Sequence, residues 1–135
     1  MSDDSISRIP LQMSSKCLVA SIQVDLTSAV LQRFRQDLLE KLQATQARGV
    51  ILDLSGVEVM DLSDFENIRG TVNMARMMGS RTVLCGLKAG VVASLVALGA
   101  RTDDLYAARD LDMGFELLTD ERSADGDSIR EPEDG

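Results

Sequence analysis

Histidine is absent from this chain, and aromatic side chains are scarce: three phenylalanines and one tyrosine among 135 residues. Without histidine, the commonest general base, the Ser-His-Asp triad and the Cys-His pair are all excluded. The two cysteines, Cys17 and Cys85, stand far apart in strand-like runs, "CLVASI" and "TVLCGL". With no histidine to join them they do not suit a zinc site, so no metal is expected and each is read as a reduced, buried thiol. No apolar run approaches the roughly 20 residues of a membrane span. The opening "MSDDSISRIP" is acidic and lacks an apolar signal core, so a cytoplasmic protein is expected. Neither GxxxxGK(S/T) nor GxGxxG occurs, which removes the two commonest phosphate-cradling loops.

What is present is aliphatic and acidic. Hydrophobic residues make up 44% and aromatics only 3%, so the core has to come from Leu, Val, Ile, Met and Ala. The length suits one domain, large enough to bury a core without metals or disulfides. The net charge of −8 is uneven: from Asp120 to Gly135 seven carboxylates face only Arg122 and Arg130. One large apolar residue, Ile129, cannot offset the ordering entropy of such a stretch. Residues 119–135 are therefore expected to be a disordered acidic tail, and residues 1–7 a flexible N-terminus. An acidic body also argues against nucleic acid as a partner, because phosphates call for a basic patch.

Hydrophobic spacing divides the rest into strands and helices. Residues 9–13 and 17–23 read as two strands joined by the turn "SSK", a hairpin. Leu31, Phe34, Leu38 and Leu42 fall on one face of a helix over 27–47, with Gly49 as its C-terminal signal. "VILDLS" (50–55) reads as a central strand. A helix from Ser63 to Met78 follows, its buried stripe Phe65, Ile68, Val72, Ala75 and Met78, with Arg69, Asn73 and Arg76 on other faces. Met74, Met77 and Met78 are read as core packing. A strand over 81–87, a helix over 90–99, a short strand within "DLYAA" and a helix over 110–118 complete the pattern. Strand–helix units after a hairpin imply an α/β sandwich, a mixed sheet packed with about four helices.

Three places can hold chemistry. "GLKAG" sets Lys88 before a helix start, a weak anion site that loop closure explains better. Asp53, near a strand end, suits a phosphoacceptor of receiver type, but the acidic pair and the late lysine of that design are missing. Ser63 opens the second long helix, where a phosphate would meet unpaired N–H groups and partial positive charge. Asp61, Asp64 and Glu66 already crowd that turn, and Ser63 with Glu66 fits the S-x-x-E capping box. Ser63 is accordingly expected to cap the helix, and is also the candidate phosphorylation site.

Three segments in order, "IPLQ…CLVASIQ", "GVILDLSGVEVMD" and "MARMMGSRTVLCGLKAGVVASLVALG", with "ALxxG"-like spacing toward the end, resemble a STAS domain over residues 8–118, most closely the stressosome scaffold type known as RsbS. The resemblance implies a single α/β domain with no enzymatic activity, no cofactor and no metal. It implies an oligomer or large assembly with an RsbR-like STAS paralogue, holding an RsbT-like serine kinase until stress, and partner contacts at Asp61, Leu62, Ser63 and Asp64, with Arg69 on the exposed side of the helix. In this family the phosphorylated serine directly follows an aspartate at the start of the second helix. Ungapped from "MMG", the aspartate falls on Asp61 and the serine position on Leu62, which has no hydroxyl; Asp64 supplies negative charge nearby, as a phosphate would. The usual Q-P-A-V run is here Lys88-Ala89-Gly90-Val91, and a glycine in place of the rigid proline loosens that helix start. A simpler anti-sigma factor antagonist, binding an anti-sigma kinase directly, is the alternative within the family.

Overall fold

Strand β1 (Leu11–Ser14) turns back through Ser15 and Lys16 into β2 (Cys17–Ser21) in the computed structural model, which describes residues 7–124. Both turn residues take positive φ, 52° and 69°, as a two-residue loop joining right-twisted strands requires. Helix α1 (Ser28–Thr45) crosses to β3 (Gly49–Asp53), α2 (Leu62–Met77) to β4 (Arg81–Cys85) and α3 (Ala89–Ala97) to β5 (Tyr106–Ala108), and α4 (Leu111–Ala124) closes the order. The five strands lie side by side in chain order, β1 antiparallel to β2 and the rest parallel. Parallel neighbours need crossovers, and right-handed ones advancing in one direction put α1, α2 and α3 on the same face.

That face holds the main core. Leu18, Val50, Leu52 and Leu84 from the sheet share it with Phe34 and Leu38 of α1, Phe65 and Ile68 of α2, and Leu95 of α3. The opposite face is smaller: Ile51, Val83 and the two buried cysteines lie under Leu118 and Phe115 of α4. The first four residues of β3 are buried, which explains its unbroken apolar run. Gly49 lies where α4 crosses the strand, and a Cβ there would come 2.7 Å from Leu118 Cδ1, so that side chain would have to shift.

Several boundaries differ from the sequence pattern. Thr27 caps α1 from outside, its Oγ1 accepting from Val30 N at 3.1 Å. Gln46, not Gly49, ends α1 in the left-handed region, and Gly49 belongs to β3. Residues 119–124, expected to be disordered, continue α4, because "TDERSA" contains neither Gly nor Pro to stop it. The rest of the acidic tail, 125–135, and most of the N-terminal arm, 1–6, lie outside the described residues. Met74, Met77 and Met78 are not core: they are 39, 85 and 45% exposed; at about 100° per residue, Met74 and Met77 fall on the side of α2 away from the buried Phe65, Ile68, Val72 and Ala75. Among the described residues no helix is long and apolar enough to cross a membrane.

Candidate partner-binding site

Between β3 and α2 the chain runs through an extended loop pinned by Val57 and Met60, both 3% exposed. The pins bring Asp61 to the helix start in extended conformation, φ −92° and ψ 176°. Its Oδ1 accepts from Asp64 N at 2.8 Å, and Asp64 Oδ2 accepts from Asp61 N at 3.2 Å. This reciprocal capping box satisfies two backbone donors and belongs to Asp61 and Asp64, not to Ser63 and Glu66. The one-register difference has a physical cause. With Asp61 as cap, the flanking staple positions fall on Met60 and Phe65, both buried in the main core. With Ser63 as cap they would fall on Leu62 and Asn67, one of which is polar.

Ser63 is therefore the second residue of the helix, exposed, and its hydroxyl makes no hydrogen bond to any described residue. Leu62, the first residue of the helix, is half-buried. A helix turns about 100° per residue, so the Ser63 hydroxyl points away from where a serine at 62 would aim. Desolvation lifts the Asp64 carboxyl above its ordinary 3.8; the bond from the Asp61 backbone opposes this, and the Asp61 charge and side-chain hydrogen bond add to it. A phosphate on Ser63 would thus meet helix N–H groups already shared with two neighbouring carboxylates.

Arg69 does not lie on an exposed side. Its side chain is 11% exposed and its Nη1 donates to Asp104 Oδ1 at 2.6 Å and to Arg101 O at 2.7 Å, with Glu66 Oε1 3.4 Å from Nε. These bonds tie α2 to the loop before β5, which lies 32 to 35 residues further on. Arg35 performs the matching task on the other side, donating to Thr71 Oγ1 at 2.9 Å and to Asn67 O at 2.9 Å. Gly70 leaves room for it, since a Cβ there would lie 2.8 Å from Arg35 Nη2. No local sequence signal marks either arginine, because every partner except Glu66 is on a distant element.

Asp53 sits at the end of β3 and its Oδ1 accepts from Ser55 N at 3.0 Å, a local turn beside Gly86. A receiver sheet of flavodoxin-like order runs 2-1-3-4-5; here the order is sequential with β1 antiparallel, so the receiver alternative is overturned by topology. Lys88 takes the N-cap position of α3 without a side-chain cap and lies 3.9 Å from Glu58 Oε2. Among the described residues no group of three or more His, Cys, Asp or Glu is placed to hold a metal.

The STAS domain profile matches residues 8–105. A structure of an RsbS variant from Moorella thermoacetica superposes with a TM-score of 0.76 at 24% identity, covering 87% of this chain and 99% of that one. A chain from the molecular architecture of the stressosome gives 0.74 at 23%, covering 84% and 98%. An anti-sigma-factor antagonist (STAS) domain protein from Planctomyces limnophilus gives 0.68 at 18%, covering 84% and 99%. At these identities the likeness speaks for the fold. No curated protein sequence matches the chain.

Proposed function

This chain belongs to the STAS domain family, and from that premise we propose that it is a non-catalytic, cytoplasmic scaffold of the RsbS type. It joins an RsbR-like STAS paralogue in a stressosome-like assembly and holds an RsbT-like serine kinase until stress. The surface that does so is the start of α2, with Asp61, Leu62, Ser63 and Asp64. Arg69 supports it from inside, by fixing α2 against the loop before β5.

The observation that carries this reading is the arrangement of that helix start. On this reading the family's aspartate corresponds to Asp61, which caps the helix, and its serine position to Leu62. A kinase held here is not released by a phosphate at the usual position. Ser63, freed from any capping duty and exposed, is the hydroxyl through which a displaced switch would act.

Native mass spectrometry of the tagged protein from its own cells, before and after stress, tests the proposal. A very large assembly with a paralogous STAS chain and a kinase supports the scaffold. A phosphate on Ser63 that appears as the kinase leaves supports the displaced switch. A monomer or dimer bound only to an anti-sigma kinase would replace the scaffold by the simpler antagonist, the role named for the Planctomyces limnophilus neighbour. A small species bound to nothing would sink both.

A further inference from the structure

Helix α3 is apolar on every side. Residues 89–100 contain no charged side chain, and Ser94 carries their only hydroxyl. A helix apolar all round belongs in a core, yet in α3 only Val91 and Leu95 are buried. Val92 and Val96 are 39 and 61% exposed, and Leu98, just past the helix, 53%. At about 100° per residue, Ala93 stands roughly 160° from both buried residues, so it marks the middle of the outward face. Ala89 and Ala97, about one turn to either side, share that face. Gly90 is not at positive φ, and a Cβ on it would meet no described atom within 4 Å, so nothing among the described residues accounts for it.

The charges around this face point to what covers it. Lys88 is the N-cap of α3 and its side chain provides no cap; a cation is disfavoured at a helix start and favoured at a helix end. Glu58 Oε2, 3.9 Å away on a 79% exposed side chain, holds it only loosely. A second copy laid antiparallel about Ala93 brings Lys88 to the partner's Leu98, at the C-terminal carbonyls of the other helix, and the two-fold axis makes that contact twice. The same axis sets Ala93 against the partner's Ala93 and Ala89 against the partner's Ala97, so the two backbones approach closely. Val96 then packs beside the partner's Ala89, and Gly90 leaves room for the partner's Ala97. Beyond the helix Arg101 is offset by Asp103, and Asp104 is already held by Arg69, so that end adds no net positive charge.

We propose that α3 docks on α3 of a second copy of this chain, antiparallel and centred on Ala93. Nine residues make a strip about 13 Å long and ~10 Å wide, well short of the ~800 Å² per partner of a standard interface. The pairing is therefore weak between free copies and becomes effective where copies are already held side by side. It does not involve Ser63, and its failure would leave the function proposed for the start of α2 untouched.

The test follows amide ¹H–¹⁵N signals of the full chain diluted from about 1 mM to ~20 µM, a range suited to so small a contact. The signals of residues 88–98 are expected to move with dilution, and those of Gln32 and Gln36 on the exposed side of α1 to stay. Ala93→Glu, at an exposed position and with a side chain suited to a helix, should keep the thermal unfolding and lose the concentration dependence. Ala93→Cys, with Cys17 and Cys85 buried, should form a disulfide-linked dimer on mild oxidation faster than Gln36→Cys. Fixed signals over residues 88–98 overturn the proposal, as do equal oxidation rates at 93 and 36. A concentration dependence that survives Ala93→Glu also overturns it, because the contact then lies elsewhere.

Discussion

Helix α2 is acidic where it begins and ends beside arginines. Asp61 and Asp64 stand at its start, and Arg76, Arg48 and Arg81 at or near its end. Both arrangements complement the helix dipole, yet they leave different things over. At the start the carboxylates are used up on the backbone, and what remains exposed is a hydroxyl, Ser63. At the far end Arg48 and Arg81 line a cavity, and Gly79, at φ +90°, follows the last turn of the helix. One end thus leaves an exposed hydroxyl and the other two arginines beside a cavity. The same electrostatic rule yields two kinds of surface, depending on whether backbone groups take the charge first.

The largest break in this comparison comes at the cavity end. Leu118→Ala removes a side chain that is 3% exposed and seated on Gly49, and should cost about 3 kcal/mol in urea unfolding. The start of α2 should keep its native amide spectrum in the folded fraction. Arg69→Ala comes next. It leaves Asp104 without its 2.6 Å partner, and because Asp104 is partly exposed the loss should be about 2 kcal/mol, short of that for a fully buried pair. A loss confined to a few tenths would mean that water replaces the guanidinium.

A pair of smaller changes sharpens the other end. Asp61→Ala should cost about 1 kcal/mol as a lost cap, and Ser63→Ala less than ~0.5 kcal/mol as a surface change. Equal losses in thermal unfolding would return the cap to Ser63. The smallest effect is silent at neutral pH. Burial, then the charges of Asp53 and Asp110, push the Cys85 thiol from its ordinary 9.0 up to about 11. The folded state keeps that proton longer than the unfolded one, so this contribution is steady below pH 9.0 and stability falls as pH rises from there to about 11. Cys85→Ala should flatten that limb of the unfolding curve; an unchanged slope would show that the thiol ionises as freely folded as unfolded.

Much of the fold was legible locally. Leu31, Phe34, Leu38 and Leu42 repeat with the helical period, and all four are buried. The run 50–54 has no polar residue but Asp53, and it is the central strand. The candidate site was legible only to within one helical register. In the local pattern Ser63 with Glu66 is the better box, since the fourth position favours Glu or Gln; burial of Met60 and Phe65 chose Asp61 with Asp64 instead. The methionines misled because apolar character was read without its period: Met74 and Met77 fall off the stripe that Phe65, Ile68, Val72 and Ala75 define.

Composition and periodicity by themselves determined an aliphatic α/β domain with an opening hairpin, and excluded histidine-based catalysis, because these follow from residue chemistry and from repeats of two and 3.6 that neighbours in the chain express on their own. Tertiary structure alone decided that Asp61 caps α2, that Arg69 is buried against Asp104, and that Arg48, Arg81 and Leu118 meet around one cavity. Each of these depends on groups brought together across the sheet, and their bonds acquire value only when the core has excluded water and fixed the chain's direction.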